Sequence, residues 1–201
     1  MRVGIDFDNT IACYDGVFHA AALERGLIPA DLARDKNSVR DHLNGSGRAD
    51  AFTELQGHVY GARMDLAAPY PGFADFVAGA RETGHELFII SHKTRYPILG
   101  PKHDLHAAAR GFLVARGLIG EDGIDASHVF FELTREAKVD RIAALRCDTF
   151  IDDLPEIFSL AGFPRATRQI LFDPADQFGD VKLDRCRSWA EISAEFCREH
   201  V

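Results

Sequence analysis

Asp6 and Asp8 close one short apolar run of the chain, and Asp152 and Asp153 close another. The first pair lies in "RVGIDFDNT" (2–10) and the second in "TFIDDLPEIF" (149–158). A buried strand has no use for unpaired charge, because an ion taken out of water is costly unless something compensates it. Side chains two apart on a strand share a face, so Asp6 and Asp8 are expected to project together while Phe7 packs the other way. In open parallel sheets, ligands bind beyond the carboxyl ends of the strands, which is where both pairs fall. A lone D-x-D is equally a solvated turn, and either acid of the second pair equally suits the cap of a helix starting near Pro155. If the two strands are neighbours, however, up to four carboxylates converge on one small volume. Two like charges ~4 Å apart repel by ~4 kcal/mol at an effective dielectric of about 20. Such a cluster calls for a divalent cation. Hard oxygen ligands with no Cys or His pattern beside them suggest Mg²⁺, which favours a few carboxylates, water and a substrate phosphate.

Two further stretches suit a phosphate. "LFIISHKT" (87–94) runs from an apolar segment into Ser91, His92, Lys93 and Thr94. A hydroxyl and backbone N–H groups there could hold phosphoryl oxygens, although Ser91 equally suits an N-cap or turn. Lys138, in "REAKVDRI" (135–142), falls on an expected helix after the third strand-like run. Helical lysines are usually solvated, so Lys138 gains meaning only beside the other three stretches.

The elements that must position these residues are legible as hydrophobic runs. Five short segments rich in β-branched and aromatic residues, at 3–7, 87–90, 129–131, 149–151 and 169–172, are nearly continuously apolar. That is the pattern of strands covered on both faces. Between them lie amphipathic helical patterns, in "PGFADFVAGARETG", "HDLHAAARGFLVARG" and "REAKVDRIAAL", and Ser188 with Glu191 forms a capping-box signature for a last helix. Strands alternating with helices predict an α/β protein, a parallel sheet between two helical layers. From about residue 12 to 68 there are only helical segments, separated by turns such as "NGSG" (44–47). This is more chain than a crossover needs, so it is expected to form a small helical cap (12–68) inserted in a core made of 1–11 and 69–201.

The bulk numbers exclude several classes. The chain has 201 residues, 46% of them hydrophobic and 27% charged, with a net charge of −8. The composition is that of an ordinary globular protein, and the negative net charge argues against a nucleic-acid polymer held on a broad basic face, though not against a small anion in a locally basic pocket. Four cysteines without CxxC or zinc spacing fit free thiols in a reducing compartment. Met1 runs straight into the first strand-like segment with no leader pattern, and no apolar run is long enough to span a bilayer, so a soluble cytoplasmic protein with no membrane partner is expected.

Taken together, "DFDNT" (6–10), "FIIS" ending at Ser91, Lys138 and "IDD" (151–153) resemble the four motifs of the haloacid dehalogenase-like hydrolase superfamily, in that family's order. The resemblance is to its phosphatase members. It implies a Rossmann-like three-layer core with sheet order 5-4-1-2-3 and a helical cap directly after the first motif, acting as a lid over the site. It also implies roles. Asp6 would be the nucleophile that forms an aspartyl-phosphate, and Asp8 the acid for the leaving oxygen and then the base for water. Mg²⁺ would be held by Asp6, the Asp8 main-chain carbonyl and the acid pair Asp152 and Asp153. Ser91 and Lys138 would orient and neutralise the phosphoryl group. An acid at position 8 favours phosphoryl transfer over dehalogenation, whose leaving halide needs no proton. Lys36, the cap's one lysine, shows no sign of a Schiff-base role.

The expected substrate is a small phosphorylated metabolite, a nucleotide monophosphate or a sugar phosphate. Candidate substrate-binding residues are Thr10, His92, Lys93 and Arg95, with Arg48 and Arg63 in the cap. "SHKTRYPILGPKHD" (91–104) is a long basic loop suited to an anionic ligand, although surface Lys and Arg are most often simply solvated. The motifs also fit a phosphotransferase that passes the phosphoryl group to an alcohol, or a protein that binds metal and phosphoester without turnover. The oligomeric state, monomer or homodimer, is not legible.

Overall fold

The apolar runs become a buried sheet because alternate residues of a strand turn to opposite faces, and helices pack on both faces of its centre. The structure of the protein, a computed structural model, describes residues 1–198, with side chains as far as residue 196. Its strands are β1 (Arg2–Ile5), β2 (Ala12–Cys13), β3 (Ala68–Pro69), β4 (Glu86–His92), β5 (Val129–Glu132), β6 (Thr149–Asp152), β7 (Arg168–Phe172) and β8 (Asp184–Cys186). Its helices are α1 (Val17–Glu24), α2 (Lys36–Gly45), α3 (Ala49–Ala62), α4 (Phe73–Glu82), α5 (Leu105–Ala115), α6 (Arg135–Leu145), α7 (Pro155–Phe158) and α8 (Trp189–Arg198).

Six strands form one sheet in the order β5-β4-β1-β6-β7-β8, every pairing parallel. Numbered by the five expected strands, this is the order 5-4-1-2-3 with one more strand added at the edge. The added strand, β8, is three residues long, "DRC", and carries no apolar run. An edge strand needs one neighbour and one covered face, so composition gave no signal of it. β2 and β3, two residues each, pair separately, and are likewise too short to leave a pattern.

One face of the sheet carries Phe88, Ile90, Phe150 and Leu171, packed with Val139 and Ile142 of α6 and Ile157 and Phe158 of α7. The alternate residue Phe172 packs on Trp189 of α8, which also meets Phe73 and Phe76 of α4. The capping signature is realised in one half: the Glu191 N–H donates to the Ser188 hydroxyl at 3.2 Å, while the Glu191 carboxylate accepts from the Arg187 N–H at 2.6 Å. Cys147 and Cys186 are buried, and burial pushes the Cys147 thiol up to about 12. The side chain of Cys197 lies outside the described residues.

The chain divides into two compact units, one of residues 1–12, 69–93 and 114–201, the other of 13–68 and 94–113. The second therefore takes in a stretch that the sequence reading put with the core. The reason is local. A Cβ at Gly57 or Gly61, one turn apart on α3, would collide with Pro97 or His103, so these glycines let the loop after β4 lie directly on the helix. Phe18, Val39, Leu43, Phe52, Leu55 and Val59 form the buried interior of this unit. Among the described residues, no helix is long and apolar enough to cross a membrane.

Gly4, in the central strand, leaves no room for a side chain on the sheet's α6–α7 face. A Cβ there would stand 2.6 Å from Phe150 Cδ2 and 3.1 Å from Cys147 Sγ. Phe150 is fully buried and has nowhere to go. Gly4→Ala is therefore expected to destabilise the protein by about 1–3 kcal/mol through overpacking. A shifted urea midpoint with an unchanged slope checks it; an unmoved midpoint means this packing can yield.

Candidate active site

Ile5 of β1 lies opposite Ile151 of β6 across the parallel ladder, so the acids that follow the two strands emerge side by side. The Asp6 N–H still donates to the Ile151 carbonyl at 2.9 Å. Carboxylate oxygens of Asp6, Asp152 and Asp153 all lie within 4.8 Å of one another. Lys138 enters this group from α6, whose first turn is capped by Thr134 accepting from the Ala137 N–H at 3.1 Å. Its ammonium stands 2.5 Å from Asp6 Oδ1 and 2.6 Å from Asp152 Oδ2, and 5.4 Å from the centre of the Phe150 ring. All three groups are buried, with Asp152 at 0% exposure. Lys138 is thus no solvated helical lysine. Neither acid of the second pair caps α7: Leu154 is the cap, with Pro155 at the first turn, and Asp152 Oδ1 accepts from the Leu154 N–H at 3.0 Å.

Asp8 does not follow Asp6. β1 ends at Ile5, and the Phe7 carbonyl accepts from the N–H groups of Ile11 and Ala12 (3.0 and 2.9 Å) as the chain turns through Asn9, whose φ is 58°. The expected shared projection of the two acids gives way to two different partners. Asp6 meets Lys138, whereas both oxygens of Asp8 accept from Lys93 Nζ, at 2.9 and 2.6 Å. The Asp8 carboxylate is not part of the three-acid group.

Burial is the chief cause of the unusual acidities here. It pushes the Asp6 carboxyl up to about 7, with the neighbouring Asp152 charge adding and Lys138 opposing. It also pushes Asp153 well above the usual carboxylate range, reinforced by Asp152 and Asp6. For Lys138 burial works against the charge, yet Asp152 and Asp6 hold the ammonium above the ordinary lysine range. His92 is held below the usual imidazole value by burial and then by the charges of Lys138 and Arg135. Once all are ionised, as a bound cation would require, four carboxylates (Asp6, Asp8, Asp152 and Asp153) against two ammonium groups (Lys138 and Lys93) leave two negative charges unmatched among these six groups. An all-oxygen donor set with that surplus fits one divalent cation such as Mg²⁺.

The other candidates fall in several places. Ser91 is buried at the end of β4, opposite Phe131 in the register, and His92 follows it. Thr10, expected at the substrate, is fully buried instead. Its hydroxyl is 3.5 Å from Asp153 Oδ1, and its carbonyl accepts from Trp189 Nε1 at 3.0 Å. Lys93, also expected at the substrate, is the partner of Asp8. Arg48, Arg63 and Arg95 belong to the second unit and are engaged within it: Arg48 with Ser46 at 3.0 Å, Arg63 with Glu24 and Asp65, Arg95 with Asp104 at 3.1 Å. Trp189 is a support that sequence reasoning missed. It pins the turn after Asp8 from the far end of the chain, and no local spacing relates the two.

The sequence matches no protein-family model, and no curated protein matches it. Solved structures do share its fold. The HAD-hydrolase YfnB from Bacillus subtilis, bound to magnesium, superposes with a TM-score of 0.60 at 14% identity, covering 96% of this chain and 97% of that one. A HAD family hydrolase from Deinococcus radiodurans with bound phosphate and sodium gives 0.60 at 15% identity, covering 99% and 96%. A dehalogenase gives 0.54 at 11% identity, covering 96% of each chain. The likeness establishes the Rossmann-like fold of haloacid dehalogenase-superfamily hydrolases, as the four motifs implied. That fold carries more than one chemistry, so the reaction has to be argued from the side chains.

Cation and proton compete for the same buried acids. Because the folded protein without metal holds a proton on Asp6 up to a pH of about 7, Mg²⁺ is expected to raise the melting temperature little at pH 5 and progressively more towards pH 8. Thermal melts with and without Mg²⁺ across that range check it; a gain independent of pH means that Asp6 is not displaced of a proton by the metal.

Proposed function

We propose that the protein is a Mg²⁺-dependent phosphatase that hydrolyses a small phosphomonoester through an aspartyl-phosphate on Asp6. The observation that carries this is the buried Asp6–Lys138–Asp152 arrangement, with Asp153 beside it and a second acid, Asp8, two residues from the first. Asp6, Asp152, Asp153 and the Asp8 main-chain carbonyl are the groups that would hold the ion. When bound, Mg²⁺ neutralises charge on the acids and on the phosphoryl oxygens.

The protein's own groups then account for both halves of the reaction. An Asp6 carboxylate oxygen attacks phosphorus, and the bond from phosphorus to the ester oxygen breaks as Asp8, entering the step as the protonated acid, gives that oxygen its proton and becomes a carboxylate. Lys138 and Ser91 hold the transferred group, so the barrier is lowered chiefly by positioning and by charge already in place. Water next attacks the phosphoryl group as Asp8 takes its proton. Inorganic phosphate leaves and the Asp6 carboxylate is regenerated. A dehalogenase releases halide, which needs no proton, and would leave Asp8 idle. An acid at that position, held by a buried lysine, supports phosphoryl transfer instead. The magnesium in the Bacillus subtilis structure and the phosphate in the Deinococcus radiodurans structure are consistent with it.

The test is turnover of a panel of phosphorylated sugars, nucleotide monophosphates and generic phosphate esters, with Mg²⁺ and with chelator. Metal-dependent release of phosphate is expected; its absence across the panel would leave a binding protein. Asp6→Asn should lower turnover on the order of 10⁴-fold or more while the protein stays folded, since a buried like charge is removed together with the nucleophile. Near-normal rates in that variant exclude covalent catalysis at Asp6. Asp8→Ala should cost roughly 10²–10⁴-fold, measured on an alkyl phosphate.

A further inference from the structure

Two buried lysines stand among the acids, and the chemistry above uses only Lys138. Lys93 follows the last residue of β4, and its N–H donates to the Glu132 carbonyl at 2.8 Å, so the neighbouring strand fixes its backbone. Its side chain is 3% exposed, with the ammonium 5.5 Å from the centre of the Phe7 ring. A lysine so buried is tolerated only when well paired, and Lys93 meets both oxygens of one particular acid, Asp8. Asp8, by contrast, sits in a turn beyond the end of its strand. A carboxylate in a turn beside Asp6, Asp152 and Asp153 is open to capture by whatever cation those three acids gather. Yet its use to a leaving oxygen depends on its staying out of that group.

We propose that Lys93 is the positioning residue for Asp8, holding its carboxylate apart from the three-acid cation site and ready for the leaving-group oxygen. This rests on the phosphatase function proposed above, and it replaces the substrate-binding role that the sequence suggested for Lys93. The lysine acts through Asp8 and does not touch the phosphoryl group. Removing it lets Asp8 swing toward the cation, so metal affinity rises while proton delivery fails.

Lys93→Met separates these consequences. An alkyl phosphate needs a proton on its leaving oxygen, whereas p-nitrophenolate leaves without one. For the alkyl ester, kcat/KM is expected to fall on the order of 100-fold, and for p-nitrophenyl phosphate by less than about threefold. In the Asp8→Asn background, Lys93→Met should cost nothing further, because residues that act through one another are non-additive. Calorimetric titration of Mg²⁺ should show binding tightened roughly tenfold in Lys93→Met, but not in the Asp8→Asn, Lys93→Met double variant. Equal losses on both esters, or losses that multiply with Asp8→Asn, overturn the proposal and make Lys93 a substrate ligand. Unchanged or weakened Mg²⁺ binding in Lys93→Met overturns it as well. If Lys93→Met does not fold, Lys93→Gln, which keeps a donor for Asp8 without the charge, is measured instead: a smaller loss than in Asp8→Asn, confined to the alkyl ester, is expected, and equal losses on both esters overturn the proposal. If the native protein turns over neither ester, the phosphatase function fails, while the Mg²⁺ titrations still decide whether Lys93 keeps Asp8 off the cation site.

Discussion

Carboxylates withdrawn from water repel one another unless something positive stands among them, and this constraint organises the sheet's carboxyl edge. Asp6 and Asp152 come from adjacent strands and lie too close to be ionised together unaided. Lys138 answers part of that demand from α6, and Lys93 answers another part from the end of β4. Neither reaches full neutrality, and the remaining charge is of the size that one divalent ion carries. A protein gains no stability from acids packed in this way. Their persistence in the interior is a statement about chemistry.

Much of this edge was legible in the sequence because each acid ends an apolar run. Strands at 87–90, 129–131, 149–151 and 169–172 appear as β4, β5, β6 and β7 with boundaries moved by one or two residues, since continuous apolar character marks a strand covered on both faces. The run at 3–7 stops early, at Ile5, because the chain leaves the ladder to make the turn that holds Asp8. Periodicity cannot report that departure: Phe7 is apolar whether it lies in a strand or packs in a turn against Phe131, at 5.8 Å. The sheet order came from resemblance, not from pattern, as no single run says which strand it will lie beside.

Partnerships at long range were the part that stayed hidden. Lys93 and Asp8 are far apart in the chain, and a lysine in a basic loop looks like any surface cation until its ammonium is found buried against a carboxylate. Thr10 next to the acids suggested a ligand contact, whereas its hydroxyl and carbonyl are turned to Asp153 and Trp189. The arginines of the second unit were attractive for their charge alone, and acids in that unit already engage Arg63 and Arg95. Charge on a helix or loop says that a cation is present; only its neighbours say what it is for.

Fixity is distributed unevenly over the site, and its distribution explains where the supports stand. Asp152 and Ser91 lie on strands, Asp6 is still tied to the ladder through its N–H, and Lys138 rides on a capped helix. Hydrogen bonds of regular structure hold these backbones, so little is left to rearrange when charge moves. Asp8 alone among the proposed catalytic acids depends on a turn, and turns hold side chains less firmly than strands do. Three contacts compensate. The Phe7 carbonyl takes two N–H groups from across the turn, Trp189 grips the Thr10 carbonyl from a buried seat on α8, and Lys93 holds the carboxylate itself. That these contacts brace one turn, with Lys93 on the Asp8 carboxylate itself, is what a group proposed to hand over a proton, and take one back, at a defined place would require.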